Sequence, residues 1–389
     1  MRVTSIRSLL LFLKDYSGIA IDLALYSLVW KDRRTAFEVL NLEKEIDRIL
    51  EQLLYTVIVA GRSPATAETL VPIIRLGVAF DRISNAAGDI AALVLRDIPV
   101  HPAVRDAILR GDELTVLVKA MDVPPAGIEI EALEENVSRI DVLVLRSGDR
   151  YILAPSTDAK IRPGDVVIAR GSIDEIEDLA RVLGDVEVQK LVRELEKSVL
   201  RDVLSEKMEE LYDHAQLMLD LAFHSLFNGD TKLVSLVKDL EDQLDSLFID
   251  ILRESFTHHN PAIAEYGPSV SIVAKSLETL GDAATMIATT ATKGAARQVV
   301  EEAGEESRET ILELRYQGPK TTLTNLELED LGAIVLAVQK KDKWVLTPPE
   351  STVIEEGDLI LAKFYLTTDD VEDRIYQDLK EKRLEIEEE

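Results

Sequence analysis

Asp22-Leu23-Ala24-Leu25-Tyr26-Ser27-Leu28 returns as Asp220-Leu221-Ala222-Phe223-His224-Ser225-Leu226, 198 positions on (220 − 22). The same offset carries Leu42-Glu43-Lys44-Glu45-Ile46-Asp47 onto Leu240-Glu241-Asp242-Gln243-Leu244-Asp245. One residue is then lost, so that Ser63-Pro64 maps to Asn260-Pro261 and Asp81-Arg82-Ile83 to Glu278-Thr279-Leu280. A register that survives this far marks a tandem duplication, and a repeat governs the whole architecture. Within each copy the apolar residues step by three and four. Val39, Leu42, Ile46, Ile49, Leu53 and Val57 do so in the first, and Leu240, Leu244, Leu247 and Ile251 in the second. This is the stripe of an amphipathic helix. The Ser-Pro and Asn-Pro pairs place a capping side chain before a first-turn proline, the start of a further helix. Long helices joined by short loops predict antiparallel bundles over residues 1–111 and 188–304.

After each bundle the period changes to that of strands. Thr115–Val118, Asp141–Leu145, Asp149–Leu153 and Asp165–Ala169 are β-branched runs, answered by Ile311–Leu314, Ile334–Val338, Lys343–Leu346 and Asp358–Ala362. Pro155 aligns with Pro348, and Gly164-Asp165 with Gly357-Asp358, both at an offset of 193 (348 − 155). Asp174–Val182 and Asp369–Leu379 read as closing helices. Two small α+β domains are therefore expected at 112–187 and 305–379. The charged stretch 380–389 is read as a frayed or disordered tail.

The 389 residues carry 44 Lys and Arg against 72 Asp and Glu, a net charge of −28, which repels phosphate backbones and argues against nucleic acid as a partner. Without cysteine there are no disulfides, thiolate metal sites or cysteine nucleophiles. The apolar run Leu9–Leu13 ends at Lys14-Asp15, too short to span a bilayer. G-x-S-x-G, P-loop, H-E-x-x-H and G-x-G-x-x-G patterns are all missing, so neither an enzyme nor a dinucleotide-binding protein is expected.

Glu43 and Asp47 lie one helical turn apart, and Asp81, Asn85 and Asp89 follow at four-residue steps on a partner helix. Facing each other, these oxygens would suit a hard divalent cation, or oxygen-ligated iron or manganese. Such spacing also occurs on plain solvated faces, where like charges cost only about 0.2–0.5 kcal/mol per pair. Glu241, Asp245, Glu278 and Asp282 are the equivalent set, shorter by one because Met286 stands in place of Asp89. His101, His214, His224, His258 and His259 are scattered, and surface or capping roles are expected for them.

The β-rich segment, with its Val-Leu-Val-Leu-Arg run, a strand ending in proline and Ile-x-x-Gly-Asp-Val-Val-Ile-Ala-x-Gly, resembles the RCK C-terminal (TrkA-C) domain of potassium-transport proteins. The resemblance spans about Leu114–Leu183 and Thr310–Tyr376. The helical segment resembles the PhoU domain. Glu43 to Asp47 and Glu241 to Asp245 stand for its Glu-x-x-x-Asp helix, and Asp81–Ala91 and Glu278–Ala288 for its later Gly-Asp-His helix, with alanine replacing the histidine in both. The expected fold is thus α+β multidomain: two antiparallel PhoU-like bundles alternating with two RCK-C-like domains.

The resemblances imply a soluble, cytoplasmic regulator of cation transport, potassium being the expected ion, peripheral to a membrane cation transporter or channel. Self-association is expected through paired RCK-C domains, as a homodimer or an internal pseudo-dimer. The alternative is a metal-binding PhoU-type regulator of phosphate transport or signalling. Related RCK-C dimers can hold cyclic di-AMP in a cleft. The positions matching that cleft are Asp141, Val142 and Pro155, and Ile334, Val335 and Pro348. Asp141 would repel a phosphate unless paired with Arg146 or Arg139.

Overall fold

A computed structural model describes residues 5–111, 113–137, 140–148, 150–195, 203–228, 233–257, 262–291, 309–341, 343–365 and 369–386. The first copy opens with α1 (Ile6–Trp30), α2 (Arg33–Ala60), α3 (Pro64–Leu95) and the short α4 (Pro102–Arg110). Ser5 caps α1 by accepting the Ser8 amide, and Asp32 caps α2 by accepting those of Arg34 and Thr35. After α7 (Val186–Leu195), the second copy repeats the long helices as α8 (Val203–Asn228), α9 (Leu233–Thr257) and α10 (Ala262–Ala291). The Asn260-Pro261 start signal lies outside the described residues, whereas Pro64 is the first residue of α3.

The chain gathers into two compact units. One comprises Met1–Leu117, Tyr151–Ala154 and Lys190–Glu306, and the other Val118–Arg150, Pro155–Gln189 and Ser307–Glu389. Both bundles therefore share one unit, although sequence separates them. The reason is α3 packed on α10. These helices bury not only a large apolar stripe but also Ala79, Ala86, Ala87 and Ala91 on α3 and Ala274, Ala283, Ala284 and Ala288 on α10. A helix apolar on most sides must be covered on most sides. Phe80 of α3 stacks on Phe223 of α8 at a centroid distance of 6.2 Å. Within the first copy α1, α2 and α3 pack together, and in the second α8, α9 and α10 do, around Ile46, Leu53, Leu76, Leu221, Leu240 and Leu280.

The strands build two sheets. β1 (Leu114–Lys119), β3 (Ile140–Ser147), β4 (Arg150–Leu153) and β6 (Val166–Gly171) form a sheet in the order β1-β6-β3-β4. Their repeats β7 (Glu309–Tyr316), β9 (Ala333–Lys340), β10 (Lys343–Leu346) and β12 (Leu359–Tyr365) are ordered β10-β9-β12-β7, the same topology read from the other edge. Short ladders, β2 (Ile128–Glu129) with β5 (Lys160–Ile161) and β8 (Thr321–Thr322) with β11 (Val353–Ile354), flank the helices α5 (Ile130–Asn136) and α11 (Leu323–Leu326). Helices α6 (Ile173–Leu183) and α12 (Asp369–Glu381) close the domains as expected. The backbone repeats in detail: Gly148 and Lys341, Ala154 and Thr347, and Gly164 and Gly357 all have positive φ at matching positions.

The copies part company after the closing helix. In the second, the supposed tail forms β13 (Leu384–Ile386), antiparallel to β7, with Leu384 buried. The expectation of a frayed end is thus corrected for these residues, because alternating Leu384 and Ile386 give the strand an apolar face. Residues 387–389 lie outside the described set. In the first copy Gly184, at φ +77°, turns the chain instead. Asp185 then caps α7, its Oδ1 accepting the Glu187 and Val188 amides, while its Oδ2 accepts the amide of Lys119 on β1 at 2.8 Å. A side chain there takes the edge position that β13 takes in the other sheet.

Candidate functional site

The two acidic stripes lie where helical spacing places them. α2 and α3 approach closely at glycines: an ideal Cβ on Gly77 would stand 2.7 Å from Leu50 Cδ1, and one on Gly88 2.5 Å from Glu43 Oε2. The Glu43 carboxylate therefore lies against the α3 backbone, half-buried. Burial, and then the charges of Asp47, Asp89 and Asp81, push its pKa above the ordinary carboxylate value. Asp81 is raised too, first by burial and then by Asp47, with which it shares a hydrogen bond, although Asn85 donates to its Oδ2 at 3.2 Å. Glu43, Asp47, Asp81, Asn85 and Asp89 thus form one electrostatically coupled stripe. Among the described residues no group of three or more His, Asp or Glu side chains is arranged to hold a metal ion.

The second stripe is organised differently. Glu241 is raised first by burial and then by Asp282, Asp245 and Asp242, with Thr285 beside it acting in the opposite direction. Glu278 is ion-paired with Lys275 one turn earlier on α10, and Asp282 with Arg82 of α3 at 3.6 Å. Two of its four carboxylates therefore face cations. Sequence reasoning treated Arg82 only as part of a motif, because a partner from the other copy cannot be seen in a linear stripe.

In the α+β domains, Asp141 and Val142 lie on β3, Arg146 follows on the same strand, and Pro155 is buried just beyond β4. Asp141 pairs with Arg170 of β6, directly opposite in the ladder, at 3.5 Å. Arg170 is thus a partner that the sequence reading did not name; Arg146 lies five positions along the same strand, and Arg139 lies outside the described residues. The second copy places Ile334 and Val335 on β9 and Pro348 beyond β10. Lys363 of β12 stands opposite Ile334 and is only 2% exposed. Arg170 and Lys363 occupy matching positions, an offset of 193 (363 − 170), so the repeat could have disclosed this pair of cations. Ala154 and Thr347, preceding the two prolines, have φ of 42° and 36°, a strained conformation for non-glycine residues and kept in both copies.

Of the histidines, His101 caps α4 through Nδ1, accepting the Ala103 amide. His214 is half-buried, with its Nδ1 2.7 Å from the Glu210 carbonyl, His224 is buried rather than superficial, and His258 and His259 lie outside the described residues.

Residues 10–94 and 208–291 match the family model of the PhoU domain. Both helical bundles are similar to PhoU domains. The matched segments are the α1–α3 and α8–α10 bundles that carry the acidic stripes. Comparison with curated protein sequences returns no match. Among solved structures, the chain is similar at 10% identity to one described as "GsuK Channel", covering 77% of this chain and 66% of that one, with a TM-score of 0.19. It is similar at 11% identity to "Crystal Structure of the GsuK RCK domain", covering 77% and 79%, with a TM-score of 0.18. Likenesses of that size carry no argument about fold or function. No helix among the described residues is long and apolar enough to cross a membrane.

Proposed function

We propose that the chain is a regulatory protein of cation transport, potassium being the expected ion, which acts on a membrane transporter or channel rather than conducting ions itself. The observation that carries this reading is the architecture: two PhoU-matched bundles alternate in sequence with two α+β domains of identical strand order, each bearing the Pro-to-Gly-Asp pattern of the RCK-C resemblance. The α+β domains would sense a small ligand or pair with one another, and the helical bundles would pass the change to the transporter. The acidic surface and the lack of nucleophile motifs fit a regulator better than a catalyst.

The test is rubidium uptake in cells of the source organism with the gene deleted and restored, paired with affinity purification from detergent-solubilised membranes. Altered uptake and retention of a cation transporter are expected. Unchanged rubidium uptake with altered phosphate uptake would overturn the cation reading in favour of the PhoU-type alternative, and no change in either would remove both.

A further inference from the structure

The central strands of the α+β domains are covered on both faces. Residues 359–364 of β12 are buried without a break, and so are residues 166–169 of β6. In the second domain the ladder register sorts them into two sides. Ile360, Ala362 and Phe364 lie with Leu312, Leu314 and Val338 in one core. Leu359, Leu361 and Lys363 alternate to the other side, beside Ile311 and Ala337. Leu361, Ala337 and Ile311 are 0%, 0% and 7% exposed, yet neither they nor Leu359 belong to that core. The buried residues described on α11 and α12 (Leu323, Leu326, Ile375 and Leu379) all lie in the first core, so another part of the chain covers the second side.

The repeat carries the same face. Val166, Ile168 and Arg170 stand where the second domain has Leu359, Leu361 and Lys363 (359 − 166 = 193), and Val144, opposite Ile168, stands where it has Ala337. Val144, Val166 and Ile168 are buried as their counterparts are. Both faces belong to one compact unit, formed by Val118–Arg150, Pro155–Gln189 and Ser307–Glu389. Lys363 shows that the cover comes from within the chain. Its ladder neighbours are the apolar Ile311 and Ile334, and on an open sheet face its ammonium would reach water, but it is 2% exposed in a single chain.

We infer that the two α+β domains pair face to face within one chain, the Val144, Ile168 and Arg170 side of the first sheet against the Ala337, Leu361 and Lys363 side of the second. Two apolar sheet faces stacked about 10 Å apart bury each other's side chains, as in a sandwich. The partner of each face is its own repeat, and the face is closed to a second chain. The regulatory meaning of this pairing rests on the transporter-regulator reading. A signal would loosen or tighten a contact inside one polypeptide, and the response would not depend on protein concentration.

The test is methyl nuclear magnetic resonance of the full deuterated chain with labelled isoleucine, leucine and valine methyls. Nuclear Overhauser cross-peaks are expected between the set Val144, Val166 and Ile168 and the set Ile311, Leu359 and Leu361. Their absence would overturn the proposal. So would their appearance in spectra filtered for contacts between a labelled and an unlabelled chain, which would place the partner sheet on a second molecule. Native mass spectrometry of that mixture reads whether any dimer is present and has exchanged. Ile168→Ala should shift the Leu359 and Leu361 methyl resonances while Ile375 and Leu379, in the separate core, keep theirs. Unmoved Leu359 and Leu361 resonances would likewise count against the pairing. If the cross-peaks are present and neither rubidium nor phosphate uptake responds to the gene, the functional reading fails alone. If uptake responds and the cross-peaks are absent, the pairing fails alone.

Discussion

Removing a charge from the first stripe should make the free protein more stable. Glu43 is half-buried and faces Asp47 on its own helix and Asp81 and Asp89 across the α2–α3 contact. Each like-charge neighbour costs about 0.2–0.5 kcal/mol, and solvent screening of a partly exposed group keeps the total near the lower end, so Glu43→Gln is expected to gain about 0.5–1 kcal/mol. For a folding unit of about 150–250 residues that is a rise in Tm of about 1–4 °C. The sign carries a pH signature. A carboxyl whose pKa is raised by folding favours the folded state when protonated, so the wild type is stabilised below the unfolded value and loses that contribution as pH rises through the folded value. The advantage of the Glu43→Gln variant over the wild type should therefore be full near pH 7.5 and shrink as pH falls toward 5. Differential scanning fluorimetry across that range reads both. A variant less stable than the wild type at pH 7.5 would refute the reasoning, since it would mean the carboxylate is held by an attractive partner in the free protein.

Other substitutions probe the frame. Asp185→Ala removes the cap of α7 and leaves the Lys119 amide without its acceptor, so urea unfolding should show a loss of about 2–4 kcal/mol, most of it restored by Asn. Two helical glycines should answer oppositely to alanine. Gly18→Ala, with nothing within 4 Å of the added methyl, should gain up to about 1 kcal/mol, whereas Gly281→Ala, whose Cβ would stand 2.5 Å from Leu244 Cδ2, should lose about 1–3 kcal/mol. A double-mutant cycle of Asp141→Ala and Arg170→Ala should return a coupling of about 0.5–3 kcal/mol, and a value indistinguishable from zero would count against the pairing across β3 and β6.

What could be read from sequence is what depends on local period. The convergence of Glu43 with Asp81 followed from helical spacing plus a short connection, and the duplicated strands followed from alternation and from Gly164-Asp165 recurring as Gly357-Asp358. What could not be read depends on register between distant segments. Asp141 meets Arg170 because β3 pairs with β6 across a bulge between Val142 and Val144, and a one-residue slip would have chosen another partner. Leu384–Ile386 lies in so charged a stretch that only the available edge of β7 reveals it as a strand. The packing of α3 on α10 draws on small buried residues, which satisfy an amphipathic pattern whichever surface they cover.

The Arg82–Asp282 bridge shows what fusion of the two halves permits. Were the halves separate identical subunits related by a two-fold axis, every residue at their junction would appear on both sides, and an arginine at position 82 would be matched by another at 279. In a single polypeptide each side is inherited independently, and threonine at 279 leaves the bridge with no mirror image. Equivalent positions of the two halves can thereby hold different contacts, an asymmetry denied to a homodimer.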